Sequence, residues 1–159
     1  MTTRRQFLAG LSLTLGGISA AIVAVPVIGA FVGPLLRRVP RVWRRVGNVE
    51  SFEIGSTVEV TFEDASPLPW SGQTAQTAAW LRRESQEVFT AFSVNCTHLG
   101  CPVRWLPDAN LFLCPCHGGA YYQDGRVAAG PPPRSLVRYE VRVRQGQVEV
   151  LTSPVPIST

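Results

Sequence analysis

All four cysteines and both histidines of this 159-residue chain fall between positions 96 and 117. They form two matched groups, Cys96-Thr97-His98-Leu99-Gly100-Cys101 and Cys114-Pro115-Cys116-His117-Gly118-Gly119. Each group offers two thiols and one imidazole, so the fold must bring two loops to one place. Thiolate together with imidazole suits zinc or an iron–sulfur cluster. A tetrahedral zinc site can be drawn from Cys96, His98, Cys114 and His117, but it leaves Cys101 and Cys116 without a role.

The N-terminal part imposes a second constraint. No charged residue occurs from Phe7 to Leu36. As one helix this stretch would span roughly 45 Å, more than the ~30 Å hydrocarbon core of a bilayer. A single tilted or kinked transmembrane helix is predicted, with Pro26 at the kink. Thr3-Arg4-Arg5-Gln6-Phe7-Leu8 ahead of it resembles a twin-arginine export motif. Five Arg at positions 37, 38, 41, 44 and 45 follow the stretch. By the positive-inside rule they would hold the C-terminal side in the cytoplasm, but large domains cross largely regardless of flanking charge. Export is therefore expected, by a route that carries proteins already folded around a cofactor. The stretch exceeds the 7–15 apolar residues or so of a signal peptide, so the anchor is expected to be retained. Residues 1–36 are read as export motif and anchor, 37–47 as a basic, Pro-containing linker, and 48–159 as a domain on the extracytoplasmic side of the cell membrane.

Every basic residue is Arg, and seven of the 15 precede Gly47 with no acid among them. From Asn48 onward 8 Arg face 11 acids. The domain is thus net acidic, and no nucleic-acid partner is expected. Its strands are predicted at 48–52, 57–62, 79–82, 88–94, 111–113, 136–143 and 147–151. Val58-Glu59-Val60-Thr61-Phe62 and Tyr139-Glu140-Val141-Arg142-Val143 alternate as half-buried strands do. Gln145-Gly146 reads as a turn, and 66–76 as a Pro/Gly/Ser/Gln loop. A small all-β antiparallel sandwich or barrel follows.

The pattern C-T-H-L-G-C … C-P-C-H-G resembles the signature of Rieske proteins, whose [2Fe–2S] cluster has one iron on two Cys and the other on two His. The resemblance extends to the anchor and to Gly130-Pro131-Pro132-Pro133, and it uses all six residues. It implies a Rieske domain with a cluster-binding subdomain. Cys96 and Cys114 would hold the inner iron, His98 and His117 the outer iron, and Cys101 and Cys116 would form a disulfide in an oxidising compartment. His117 directly follows Cys116, and neighbours on an extended chain point apart, which also favours Cys114 as the thiolate partner. Tyr121 stands where the family has a Tyr whose hydroxyl bonds the first Cys ligand. The Pro-rich run would be a stiff lid over the cluster.

The extra Cys pair and the anchor together resemble the iron–sulfur subunits of cytochrome bc-type quinol:cytochrome c oxidoreductases. The resemblance implies a cytochrome b-type subunit and a c-type cytochrome as partners. A quinol hydroxyl would meet the exposed nitrogen of His117, with proton and electron leaving together. An exported Rieske small subunit of another oxidoreductase, such as arsenite oxidase, shares the export motif and the disulfide and is the alternative. One position departs from the high-potential members: they carry Ser where this chain has Gly119. A hydrogen bond to a charged group is worth roughly 1.5–3 kcal/mol. At about 59 mV per tenfold, its absence lowers the potential by roughly 60–130 mV, which suits menaquinol. On this reading Gly119→Ser is expected to restore the bond and raise the potential.

Overall fold

The computed structural model describes residues 3–36, 40–65 and 76–152, and the chain divides into two units, 1–38 and 39–159. The first unit holds one helix, α1 (Arg4–Leu36). Thr3 caps it: the Gln6 amide donates to Thr3 Oγ1 (3.3 Å) and the Thr3 amide to Gln6 Oε1 (3.0 Å). This reciprocal pair is a capping box, so Arg4 and Arg5 occupy the first helical turn. α1 continues through Pro26, which lacks the N–H to bond the Ile22 carbonyl. The most apolar 18 residues within 4–33 are unburied and have a mean hydropathy of 2.2, and the helix is long enough to cross a membrane.

The second unit contains eleven described strands in three antiparallel sheets. β1 (Val42–Asn48), β11 (Gln147–Thr152) and β10 (Val141–Arg144) form the first sheet, in that order. β2 (Thr57–Glu63), β3 (Gln76–Arg83), β4 (Phe89–Ser93) and β9 (Arg138–Tyr139) form the second. β5 (Arg104–Leu106), β6 (Leu111–Cys114), β7 (Gly119–Tyr122) and β8 (Val127–Ala129) form the third.

The first two sheets share a core of Phe52, Val60, Phe62, Leu81, Tyr139, Val148 and Val150. The period-two side-chain alternation of β4 connects this core to a second one. Ala91 is buried in the first, while Phe92 is buried in the second with Val103, Phe112, Tyr121 and Leu136. Phe112 lies at the centre of this second core, with ring centroids 4.7 Å from Trp105, 5.7 Å from Phe92 and 6.0 Å from Trp80. Cys96 and Cys114 are part of the same cluster.

Several expectations need correction. Residues 42–47, read as linker, form most of β1, which pairs with β11 from Val42↔Thr152 to Asn48↔Gln147. Their Arg-rich composition hid the strand. In the fold Arg44 pairs across strands with Glu63 (2.9 Å) and Arg45 with Glu149 (3.7 Å), while Arg41, just before β1, pairs with Glu140. Residues 49–51, read as part of a strand, are a 3-10 turn. The strand expected over 136–143 divides at Glu140, with β9 joining β4 and β10 joining β11. Gln145-Gly146 is the expected turn, with φ of 52° and 72°, the pair of positive values that a two-residue type I′ hairpin requires. Residues 37–39 of the linker and 66–75 of the polar loop lie outside the described residues.

Candidate metal centre

Two loops meet at the site, one leading from the second sheet into the third and one within the third. The first runs between β4 and β5. It closes at its base through Val103 N–H to the Val94 carbonyl (2.8 Å) and Cys96 N–H to the Cys101 carbonyl (2.8 Å), and Gly100 N–H donates to the Cys96 carbonyl (2.9 Å). The Trp80 indole N–H donates to the Val103 carbonyl at 3.1 Å, fixing this base to the second sheet. The second loop is the tip of the β6–β7 hairpin, closed by the Cys114↔Gly119 pair. A third segment, residues 130–135, crosses beside them between β8 and β9.

All six Cys and His residues singled out from the sequence lie on these first two loops. Cys101 and Cys116 form a disulfide (Cα–Cα 6.6 Å) that ties one loop to the other. Cys96 and Cys114 are free thiols and buried. His98 is half-buried and His117 exposed, and their rings lie nearly perpendicular with centroids 5.0 Å apart. Leu99, beside His98, is 71% exposed.

Burial pushes the Cys114 thiol above its ordinary value, and Cys96 beside it adds to the rise, against opposing hydrogen bonds from the Cys116 and His117 backbone. Without a cation beside it, the Cys114 thiol therefore resists ionising. A bound metal reverses this, because a coordinated thiol is deprotonated outright. The donor set fits such a group: two buried thiols at the bottom, two imidazoles at the open end, and the remaining pair of sulfurs removed from ligation by their bond. Cys114 Sγ lies within 4.8 Å of both disulfide sulfurs, but these have no thiolate to offer.

Tyr121 is wholly buried, with its hydroxyl 3.0 Å from Cys96 Sγ and 3.0 Å from Thr97 Oγ1, and it accepts from the Thr97 amide at 3.0 Å. Burial first, then the neighbouring Cys96, pushes its pKa up to about 12. The Thr97 hydroxyl donates to the Arg134 carbonyl at 2.6 Å. With that proton committed, the Tyr121 proton is directed to Cys96 or to Thr97 Oγ1, and an anionic sulfur is the stronger acceptor. Thr97 was not singled out from the sequence. Its only signal was a hydroxyl set between two residues of metal-ligand type.

Gly119 is buried beside the third segment, with φ outside the left-handed region. A Cβ there would lie 2.7 Å from Pro132 Cγ. A side chain at position 119 therefore meets the Pro132 ring, although the backbone conformation there is one that a non-glycine residue adopts.

The family model for the Rieske [2Fe-2S] domain matches residues 42–143. The menaquinol:cytochrome c reductase iron-sulfur subunit of Geobacillus thermodenitrificans is 31% identical over 92% of this chain and 89% of its own length. The Bacillus subtilis protein of the same description is 32% identical over 91% of this chain and 88% of its own. The cytochrome b6-f complex iron-sulfur subunit of Chlorobaculum thiosulfatiphilum is 29% identical over 88% of this chain and 70% of its own. With this domain match, this similarity along most of the chain, and a site of two free thiols, two imidazoles and a stapling disulfide, the chain belongs to the Rieske [2Fe–2S] proteins, among the iron–sulfur subunits of cytochrome bc-type complexes.

Proposed function

We propose that this chain carries electrons from a quinol, menaquinol by preference, to a c-type cytochrome, as the iron–sulfur subunit of a cytochrome bc-type complex. The observation that carries this reading is the pair of imidazoles, His98 and His117, at the open end of the site above two buried thiols. The similarity to two menaquinol:cytochrome c reductase subunits supports the choice of quinol, as does Gly119, which brings no side-chain donor to the site.

The [2Fe–2S] group, when bound, supplies one-electron redox chemistry. Cys96 and Cys114 would hold it as thiolates, and His98 and His117 as imidazoles. One nitrogen of His117 would serve the metal, which leaves the other to hydrogen-bond the quinol hydroxyl and take its proton. The disulfide keeps the two loops in register while quinol and haem partners come and go. Low-temperature EPR of the dithionite-reduced protein, followed by a redox titration, tests the assignment. Purification of the complex without b-type haem would favour a different exported oxidoreductase.

Two further outcomes are expected. Tyr121→Phe removes the donor to Cys96 while conserving core volume. The cluster should be retained and its midpoint potential lowered by roughly 60–130 mV, from the energy of one hydrogen bond to a charged group. An unchanged titration curve would mean that the Tyr121 proton is directed to Thr97 instead. For sidedness, the head is read as extracytoplasmic with α1 as its anchor. Arg4→Lys combined with Arg5→Lys should leave the head inside the cell, where added protease cannot reach it in spheroplasts. Full protease sensitivity of that double variant would remove the twin-arginine motif from the account.

A further inference from the structure

The first sheet turns one face toward the core. Val46 of β1, Val141 of β10, and Val148 and Val150 of β11 pack there. Side chains alternate along a strand, so Trp43 and Arg45 of β1, Glu149 of β11, and Arg142 and Arg144 of β10 share the opposite face. The register agrees, since Arg45 and Arg142 both stand opposite Glu149. The buried Glu149 carboxylate lies 2.6 Å from Arg142 and 3.7 Å from Arg45. The Arg142 guanidinium lies over the Trp43 ring, 4.0 Å from its centroid. One acid and one indole thus hold Arg142 in place, while the other cations reach outward. The Arg45 side chain is 71% exposed, and Arg41, just before β1, is exposed where it pairs with Glu140. Arg144 is exposed and has no ion-pair partner among the described residues. Four Arg against Glu140 and Glu149 leave this face positive. From residue 40 onward the chain carries 11 Arg and 11 acids, so the rest of the head is negative to the same extent.

We propose that this face of the first sheet docks on anionic phospholipid headgroups, with Arg41, Arg45 and Arg144 against the phosphates and Trp43 at headgroup depth. The inference rests on the reading of α1 as a membrane anchor and on no part of the electron-transfer chemistry. Arginine matches phosphate with paired donors, and its guanidinium gives up water more readily than an ammonium does. Tryptophan suits the interface because its ring is apolar and its N–H polar. Cations within a Debye length of an anionic surface are attracted to it, while the acidic remainder of the head is repelled, so docking selects one face. Chain length favours lipid over an acidic protein surface. Seven residue steps lead from Leu36, the last residue of α1, to Trp43, a reach of at most about 25 Å. Arg37 and Arg38 lie within that length and add to the positive charge.

The test uses the full-length chain in nanodiscs of phosphatidylcholine containing a headgroup-nitroxide phosphatidylcholine as quencher, with or without phosphatidylglycerol. Recovery of the chain with the discs reports the anchor by itself, and circular dichroism reports the fold. The docking signal is the part of the tryptophan quenching that Trp43→Phe removes. It should appear with phosphatidylglycerol, be absent without it, and fade at high salt. Arg45→Gln combined with Arg144→Gln should shift the docked-to-undocked ratio roughly 30-fold toward undocked, at about fivefold for each cation taken from an anionic surface. Arg45→Lys with Arg144→Lys should keep most of the signal. Arg104→Gln with Arg126→Gln, at two exposed cations outside the first sheet, should leave it unchanged. Equal quenching in pure phosphatidylcholine overturns the proposal, as does an Arg45→Gln/Arg144→Gln chain, folded and recovered in the discs, that is quenched like the unsubstituted one. Absence of any Trp43 signal from the unsubstituted chain in anionic discs also overturns it and leaves the face to a protein partner. None of these outcomes touches the function proposed above, which the redox titration reads separately.

Discussion

Replacing any one of Cys96, His98, Cys114 or His117 is expected to abolish the Rieske EPR signal while leaving a folded β domain. Complete loss follows from the chemistry of the site. Among the described residues the two remaining sulfurs nearby, Cys101 and Cys116, are bonded to each other and cannot substitute for a missing thiolate. Survival of the sandwich follows from the division of the cores. Phe62, Leu81, Tyr139, Val148 and Val150 pack in a cluster that contains none of the four residues. Cys96→Ser and Cys114→Ser each place a small hydroxyl in a buried position, a cost of about 1–3 kcal/mol if it finds no partner. His98→Ala and His117→Ala change residues that are half-buried or exposed, so their effect on the apo fold should be small. Circular dichroism should therefore show strand content in all four variants with no cluster absorbance. A Rieske signal persisting in any variant would strike that residue from the ligand set.

Opening the Cys101–Cys116 staple is expected to have the second largest effect, concentrated in the cluster lobe. The bond closes a segment of sequence separation 15. The entropy of closing a loop of that length is worth roughly 3 kcal/mol. The segment includes β5 and β6 but none of the first two sheets, so the cost should appear as faster loss of iron before it appears as unfolding of the sandwich. Cys101→Ala combined with Cys116→Ala should shorten the lifetime of the cluster in a chelator challenge many-fold, with a smaller change in the thermal transition of the apo domain. Peptide mapping of native membranes that recovered Cys101 and Cys116 as free thiols would contradict the pairing.

Much of the site was legible in the sequence because its chemistry is carried by residue identity at short spacing. Cys96-x-His98 and Cys114-x-x-His117 place donors on two loops whatever sheet supports them, and an uncharged run from Phe7 to Leu36 has few places to go but a membrane. The disulfide was harder. Four thiols in two loops admit several pairings, and resemblance, not spacing, pointed to Cys101 with Cys116, the pair that the fold brings together. The strands of the cluster lobe were mostly missed. β5 and β8 have three residues each and β7 four, too short for any alternation to stand out, and they hold together by hydrogen bonds to one another and by packing on Phe112. β1 was missed because composition marked it as linker, while its pairing lies with β11, near the other end of the described chain.

The sequence by itself determined the two thiol-and-imidazole groups, an apolar helix long enough to span a membrane and the all-β class of the domain, since each depends on residue type and local order. Only the tertiary structure decided that Arg44 and Arg45 belong to a strand, that the Tyr121 proton lies within reach of Cys96, and that Pro132 occupies the space beside Gly119. Those facts depend on contacts between segments far apart in the chain or turned toward one another by backbone geometry, and no local pattern encodes a distance of 2.7 Å between a missing Cβ and a proline ring.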